Sequence, residues 1–430
     1  MLVPAYHPRC DAPNLHRRPL LCGPEPATLC CRTASAALTG RSSGRLLSVR
    51  GSWIWRNTHL LLSGTLASAC RMSLPRRLTR TRSPGFTRWC RERAVGKPQP
   101  ISPGLRIKDM MFGGVPVRVY EPTAPSDQKR RGMMYFHGGG WMMGSISKTQ
   151  KQKLVNITVV SVGYRLAPEH RFPAHLDDCE AATLHFFSVA EAEFGVDPHR
   201  VVLGGDSAGG NLSAALSQRL AKKRTGDVPS PLALVLIYPA LQMADFTLPS
   251  YLQNQSVPLL YRDKAAYYFL QYLNGDMSVC QEVLAGRHVP AELKAHYSKW
   301  LDPANLPPEF RERSYQKPEV KTSKFSSSIL WVDGLQSEFS PLLAEDDVLR
   351  LTPSTFILTC EYDVLRDDGI LFHKRLKDLG VDVTWHHVSD GFHGIVSFFN
   401  MGWLTFPSVM VWRAVLEYVI WDLTWDIFIT

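Results

Sequence analysis

Ser207 sits at the centre of Gly205-Asp206-Ser207-Ala208-Gly209, a spacing that suits a nucleophilic hydroxyl. Spacing alone does not decide the matter, because Gly40-Arg41-Ser42-Ser43-Gly44 fits equally well. A serine raised on a sharp turn needs a buried strand before it and a helix after it, packed so closely that only glycine fits the flanking positions. Ser207 follows the apolar run "VVLGG" and precedes "NLSAALSQRL", whereas Ser42 lies in a basic, patternless stretch. Such a hydroxyl is a weak nucleophile until a base takes its proton, and the base needs an acid to orient it. His393 is the candidate base, in the glycine-flanked loop "SDGFHG" after the strand-like "VDVTWHHV". Asp363 is the candidate acid, ending the apolar run "STFILTCEYD" where a strand edge would present it. His386 and His387 fall inside a strand and read as core or solvent-facing. Asp367 and Asp368 belong to the helical stretch "LRDDGILFHKRLKDLG" and read as capping or surface charges.

Attack on a carbonyl builds negative charge on its oxygen, which preformed backbone N–H donors stabilise by ~2.7–4 kcal/mol each. The stretch "YFHGGGWMMGS" sets Gly138, Gly139 and Gly140 directly after another apolar run, and glycines let the backbone approach that oxygen with no Cβ in the way. The expected donors are the amides of Gly138, Gly139 and Ala208. His137 beside them reads as a hydrogen-bonded structural residue.

These groups need a rigid frame. "LRIKDMMFGGVPVRVYEP" alternates apolar and polar residues on both sides of Gly113-Gly114, the pattern of an antiparallel hairpin. Short continuous apolar runs follow at Gly132–Phe136, Asn156–Tyr164, Arg200–Gly205, Leu232–Ala240 and Ser354–Asp363, and suit strands buried on both faces. Several are separated by helical stretches, notably Leu176 to Gly195, with Asp177 and Asp178 near its start and glycine past its end. Strand and helix in alternation imply a mostly parallel sheet flanked by helices. Residues 241–340 break the rhythm. They are rich in Tyr, Leu and Pro, include "PSYLQNQSVPLLYRDKAAYYFLQYLNG" as a helical stretch, and suit an inserted lid.

The net charge of +10 suggests nucleic acid until it is located. Residues 1–98 hold 17 Lys and Arg against Asp11, Glu25 and Glu92, so the rest of the chain is mildly acidic and no basic nucleic-acid face is implied. Residues 1–100 show no sustained period and are expected to be a largely unstructured basic leader. Its one apolar run, His59 to Cys70, is shorter than the ~20 residues of a membrane span. The nine cysteines show no CxxC zinc spacing, and neither a metal nor a cofactor is called for. Three tripeptides, at Asn156, Asn211 and Asn254, match the glycosylation pattern. The apolar stretch Gly394 to Val411, interrupted by Asn400 and Pro407, reads as a packed loop and terminal helix.

In order, "HGGGW", "YRLAPEH" (Tyr164 to His170), "GDSAGGNL", "YDVLRDDG" and "DGFHG" resemble the hormone-sensitive-lipase-like esterases, and among them the arylacetamide deacetylase and deacetylase-like group. The likeness runs from about Leu105 to about Trp421. It implies an α/β-hydrolase fold over residues 101–425 with 241–340 as helical cap, and gives Ser207, Asp363 and His393 the triad positions and Gly138, Gly139 and Ala208 the oxyanion-hole positions. An aspartate as the acid favours this family over the type-B carboxylesterases. The implied function is hydrolysis, through an acyl-enzyme, of carboxylic esters of lipophilic acyl groups, and of amides by the same chemistry. The implied setting is the endoplasmic reticulum membrane, where the family is held by a hydrophobic N-terminal anchor that residues 1–100 of this chain do not show. Only 23 residues, Trp141 to Gly163, separate the triple glycine from "YRLAPE", several fewer than such proteins have. A first helix so shortened would hold the glycine loop poorly. The competing reading is therefore an impaired scaffold that binds an apolar ligand or a partner.

Overall fold

The alternation in "LRIKDMMF" and "VPVRVYEP" becomes an antiparallel pair, β1 (Leu105–Phe112) and β2 (Val115–Pro122), turning at Gly113 (φ 54) and Gly114 (φ 82). The computed structural model describes residues 104–146, 156–223, 228–257, 259–311 and 333–398, with Val415 and Tyr418. The leader, the helix expected within Trp141–Gly163 and most of the apolar stretch after Gly394 lie outside the described residues.

The apolar runs form β3 (Arg130–Phe136), β4 (Ile157–Val162), β5 (Val196–Asp206), β6 (Ala233–Ile237), β7 (Ser354–Tyr362) and β8 (Val383–Phe392). The eight strands lie in the order β1-β2-β4-β3-β5-β6-β7-β8. The edge hairpin meets β4 in antiparallel fashion, and every pairing from β4 onward is parallel. Continuous apolar sequence is required here because both faces are covered: β4 and β6 are buried at every position. On one face Phe136, Leu203, Leu236 and Ile357 pack with Phe186 of α1 (Ala174–Phe194), Leu212 and Leu216 of α2 (Ala208–Lys222) and Ile370 of the helix after β7. On the other, Met133, Val202, Val235 and Leu358 pack with Ile395, Val415 and Tyr418. Helix α1 ends where Gly195 (φ 59) turns left-handed and its amide closes the last turn.

Between β6 and β7 lie α3 (Pro249–Gln253), α4 (Arg262–Leu273), α5 (Cys280–Leu284) and α6 (Ala291–Leu301). The stretch read as one helix is two, because Pro258 has no amide to continue a helix and disfavours helical backbone before it. Helix α4 docks through Phe269 and Tyr272, the latter stacked on Trp141 with ring centroids 4.4 Å apart. Helix α7 (Arg366–Asp378) then joins β7 to β8. Among the described residues no helix is long and apolar enough to cross a membrane.

Candidate active site

Parallel strands deliver their C-terminal ends to one edge of the sheet, where side chains from distant positions can converge. Strand β5 runs into Ser207, whose φ of 57 and ψ of −117 lie in a region costly for an L residue. The turn is held from both sides: the Ser207 amide donates to Ile237 O at 2.9 Å, and its carbonyl accepts from Asn211 N at 3.1 Å. A Cβ on Gly209 would lie 1.8 Å from Phe136 O, and one on Gly205 2.4 Å from Gly209 C. The flanking glycines are thus demanded by packing against β3 as well as by the turn.

Tyr362 and Phe392 are partners in the parallel register of β7 and β8, so the residues that follow them leave the sheet side by side. These are Asp363 and His393. Asp363 Oδ2 lies 2.8 Å from His393 Nδ1, and His393 Nε2 lies 2.9 Å from Ser207 Oγ. Asp363 is fully buried, and its second oxygen accepts the Leu365 amide at 2.8 Å. Ser207 and His393 are each 8% exposed, open enough to be reached and closed enough to limit water. The Tyr238 ring lies 4.9 Å from the imidazole, its hydroxyl buried and raised well above the usual phenol range by that burial and by the Asp206 charge.

The glycine loop is tied to the same turn. Gly138 N donates to Asp206 Oδ1 at 2.8 Å, so its amide is already engaged within the protein. Gly139 (φ 135) and Gly140 (φ 62) turn the chain back on itself, and Met143 N bonds Gly139 O. Ala208 opens α2, where first-turn amides have no partner within the helix. His137 is a packing residue, stacked on Tyr164 at 4.3 Å, and Tyr164 donates its hydroxyl to His137 O. Arg165 of the same "YRLAPEH" run forks onto Asp178 of α1. The motif therefore braces the glycine loop against the first helix.

One expectation is overturned. Asp367 and Asp368 are fully buried, where surface or capping charges were expected. Asp367 bonds Arg366 and the Ser250 amide, while Asp368 accepts from the amide of Leu241 and from Gln242 and Tyr251. Burial raises both carboxyls, Asp368 to about 8. Of the glycosylation tripeptides, Asn211 and Asn254 are buried and spend their amides on backbone carbonyls, Asn254 on Glu361 O and Asp363 O. Asn156 is exposed. The strand histidines behave as read: His386 is exposed and His387 is half-buried against Glu361. Sequence reasoning passed over Asp206, although it lies inside the motif, and Asn254, noticed only as a glycosylation pattern.

A family model described as alpha/beta hydrolase fold matches residues 133–293 and 303–397. Arylacetamide deacetylase-like 3 of Homo sapiens is 40% identical over 332 residues, covering 75% of this chain and 80% of that protein. The chain belongs to the α/β-hydrolase family, in its arylacetamide deacetylase group. Arylacetamide deacetylase of Oryctolagus cuniculus is 39% identical, covering 73% of this chain and 81% of its own. Neutral cholesterol ester hydrolase 1 of Rattus norvegicus is 38% identical, covering 72% and 80%. Among solved structures, DphMB1 is 27% identical with a TM-score of 0.58, covering 84% of this chain and 98% of that one. A Pyrobaculum calidifontis esterase, 24% identical with a TM-score of 0.59 over 84% and 97% of the two chains, shares the fold.

Proposed function

We propose that this chain is a serine hydrolase that cleaves carboxylic esters of lipophilic acyl groups, and amides more slowly, through an acyl-enzyme on Ser207. The observation that carries the reading is the unbroken hydrogen-bonded line Asp363–His393–Ser207. Asp363 keeps the proton of the neutral imidazole on Nδ1, which leaves Nε2 to accept the Ser207 proton as Oγ attacks the acyl carbon. The imidazolium then returns that proton to the departing alcohol or amine, and a water activated in the same way releases the acid. The Gly138 amide being spent on Asp206, the oxyanion donors are assigned to Gly139 and Ala208. Amides are slower because attack must break the amide resonance, which leaves their carbonyl carbon less electrophilic than that of an ester. The lipophilic class rests on relatives named for arylacetamide and cholesterol ester hydrolysis.

The insertion between β6 and β7 acts in this reading as the cap. Its Tyr268 ring meets the space above Gly140, its Leu259 reaches the space above Gly394, and its Asn254 bonds the Asp363 carbonyl. Ser207→Ala is expected to lower ester turnover by ~10⁶, with labelling by a fluorophosphonate probe lost at the same time. A folded Ser207→Ala protein with most of its activity overturns the assignment. A folded wild-type protein that neither turns over esters nor labels supports the binding scaffold instead.

A further inference from the structure

We infer that Asp206, the residue before the serine, is a positioning residue that holds the glycine loop in register with Ser207. The inference rests on the serine-hydrolase reading and assigns a role which that reading leaves vacant. Oδ1 of Asp206 accepts two donors at 2.8 Å each, the Gly138 amide from the loop and the Tyr135 hydroxyl from β3. Backbone and side chain of Asp206 also fill the space a Gly138 side chain would need: a Cβ there would lie 2.3 Å from Oδ2 and 2.7 Å from Asp206 O. Gly138 is therefore the contact point of the loop, and Gly139, one residue on, is the first amide left to face a substrate.

The consequence is mechanical. A loop that swings by a fraction of an ångström carries the Gly139 amide off the position the oxyanion will occupy, and such donors work only within ~2.7–3.1 Å of it. Asp206 has the Ser207 backbone on one side and the loop on the other through a single side chain, so it fixes the distance between nucleophile and oxyanion donor. Its neighbour in sequence cannot drift without it. The carboxylate acts here as a two-donor acceptor, a task an amide oxygen with two lone pairs also performs. Positioning and charge are thereby separable.

The test is hydrolysis of p-nitrophenyl butyrate by wild type, Asp206→Asn and Asp206→Ala, with a thermal melt of each. Asp206→Ala is expected to lower kcat by about 100-fold, the scale of losing one oxyanion donor, with KM little changed and the melting temperature lowered because the Gly138 amide and the Tyr135 hydroxyl lose their acceptor. Asp206→Asn, which keeps an acceptor for both donors, is expected to recover most of that loss with the same pH profile as wild type. If Asp206→Ala does not fold, Tyr135→Phe decides, because it removes one of the two donors that hold the Asp206 carboxylate and keeps the ring: lowered kcat measured well below the melting temperature supports the inference, and wild-type kcat overturns it. Wild-type kcat in a folded Asp206→Ala, an Asn variant as impaired as the Ala variant, or a loss that disappears when each variant is assayed well below its melting temperature also overturns it. Failure of the underlying reading is a separate outcome, seen as full turnover by Ser207→Ala.

Discussion

Replacing Asp363 with asparagine tests the acid without disturbing packing, because the two side chains share a shape. The buried carboxylate serves two donors, His393 Nδ1–H at 2.8 Å and the Leu365 amide at 2.8 Å. Asparagine has one oxygen to offer. If that oxygen stays on Leu365, the amide NH₂ faces Nδ1, the imidazole proton is driven to Nε2, and the ring can no longer accept from Ser207. If it turns to His393, the NH₂ meets the Leu365 N–H and leaves a buried donor unpaired, at ~1–3 kcal/mol. The working tautomer therefore carries a penalty of about 5- to 150-fold by itself. Loss of the charge that stabilises the imidazolium adds to it, and the total in triads of this kind reaches ~10⁴. At ~1.36 kcal/mol per decade the whole is ~5.4 kcal/mol, so ~2.4–4.4 kcal/mol belongs to the charge. The assay is kcat for p-nitrophenyl butyrate at pH 7 to 8, with thermal melts to confirm folding. A folded Asp363→Asn enzyme within tenfold of wild type refutes the assignment, because neither the tautomer nor the charge would then matter.

Two further outcomes follow from the packing. A Cβ on Gly140 would lie 2.5–2.8 Å from atoms of the Tyr268 ring, at a φ of 62 that costs an L residue ~1–2 kcal/mol. Gly140→Ala is expected to lower kcat/KM by about tenfold, and adding Tyr268→Ala to restore part of it; a double variant no better than the single one removes the ring as the obstacle. Burial raises the Asp368 carboxyl from 3.8 to about 8, so the folded chain keeps a proton that the unfolded chain has released. That contribution is complete below pH ~3.8 and is lost as pH rises toward 8, at up to ~1.4 kcal/mol per unit. Asp368→Asn copies the protonated form, and its stability relative to wild type in urea should increase from pH 5 to pH 8; an equal difference at both values counts against the buried proton.

What the sequence disclosed and what it withheld divide along a physical line. The sheet was legible because two-faced burial forces continuous apolar runs, and the buried stretches of β3 to β7 carry that signature. Ser207, Asp363 and His393 were legible because each directly follows a strand or lies in the loop just beyond one, where backbone position alone brings them to the same edge. Asp367 and Asp368 were misread for the opposite reason. Their sequence neighbourhood is a polar helix start, yet the groups that bury them, Ser250, Gln242 and Tyr251, come from residues 117 to 126 positions away. No local pattern records that a distant insertion will cover a charge. Asn254 hid in the same way, since its two bonds reach the backbone of β7 and the acid loop across 107 and 109 residues. Gly138 fails differently. A glycine offers its amide to whatever lies nearest, and sequence cannot say whether that is a substrate oxygen or the carboxylate of Asp206. Through Ser250 and Asn254 the insertion bonds the carbonyls of Val364 and Asp363, so the segment after β6 and the turn after β7 form one hydrogen-bonded unit.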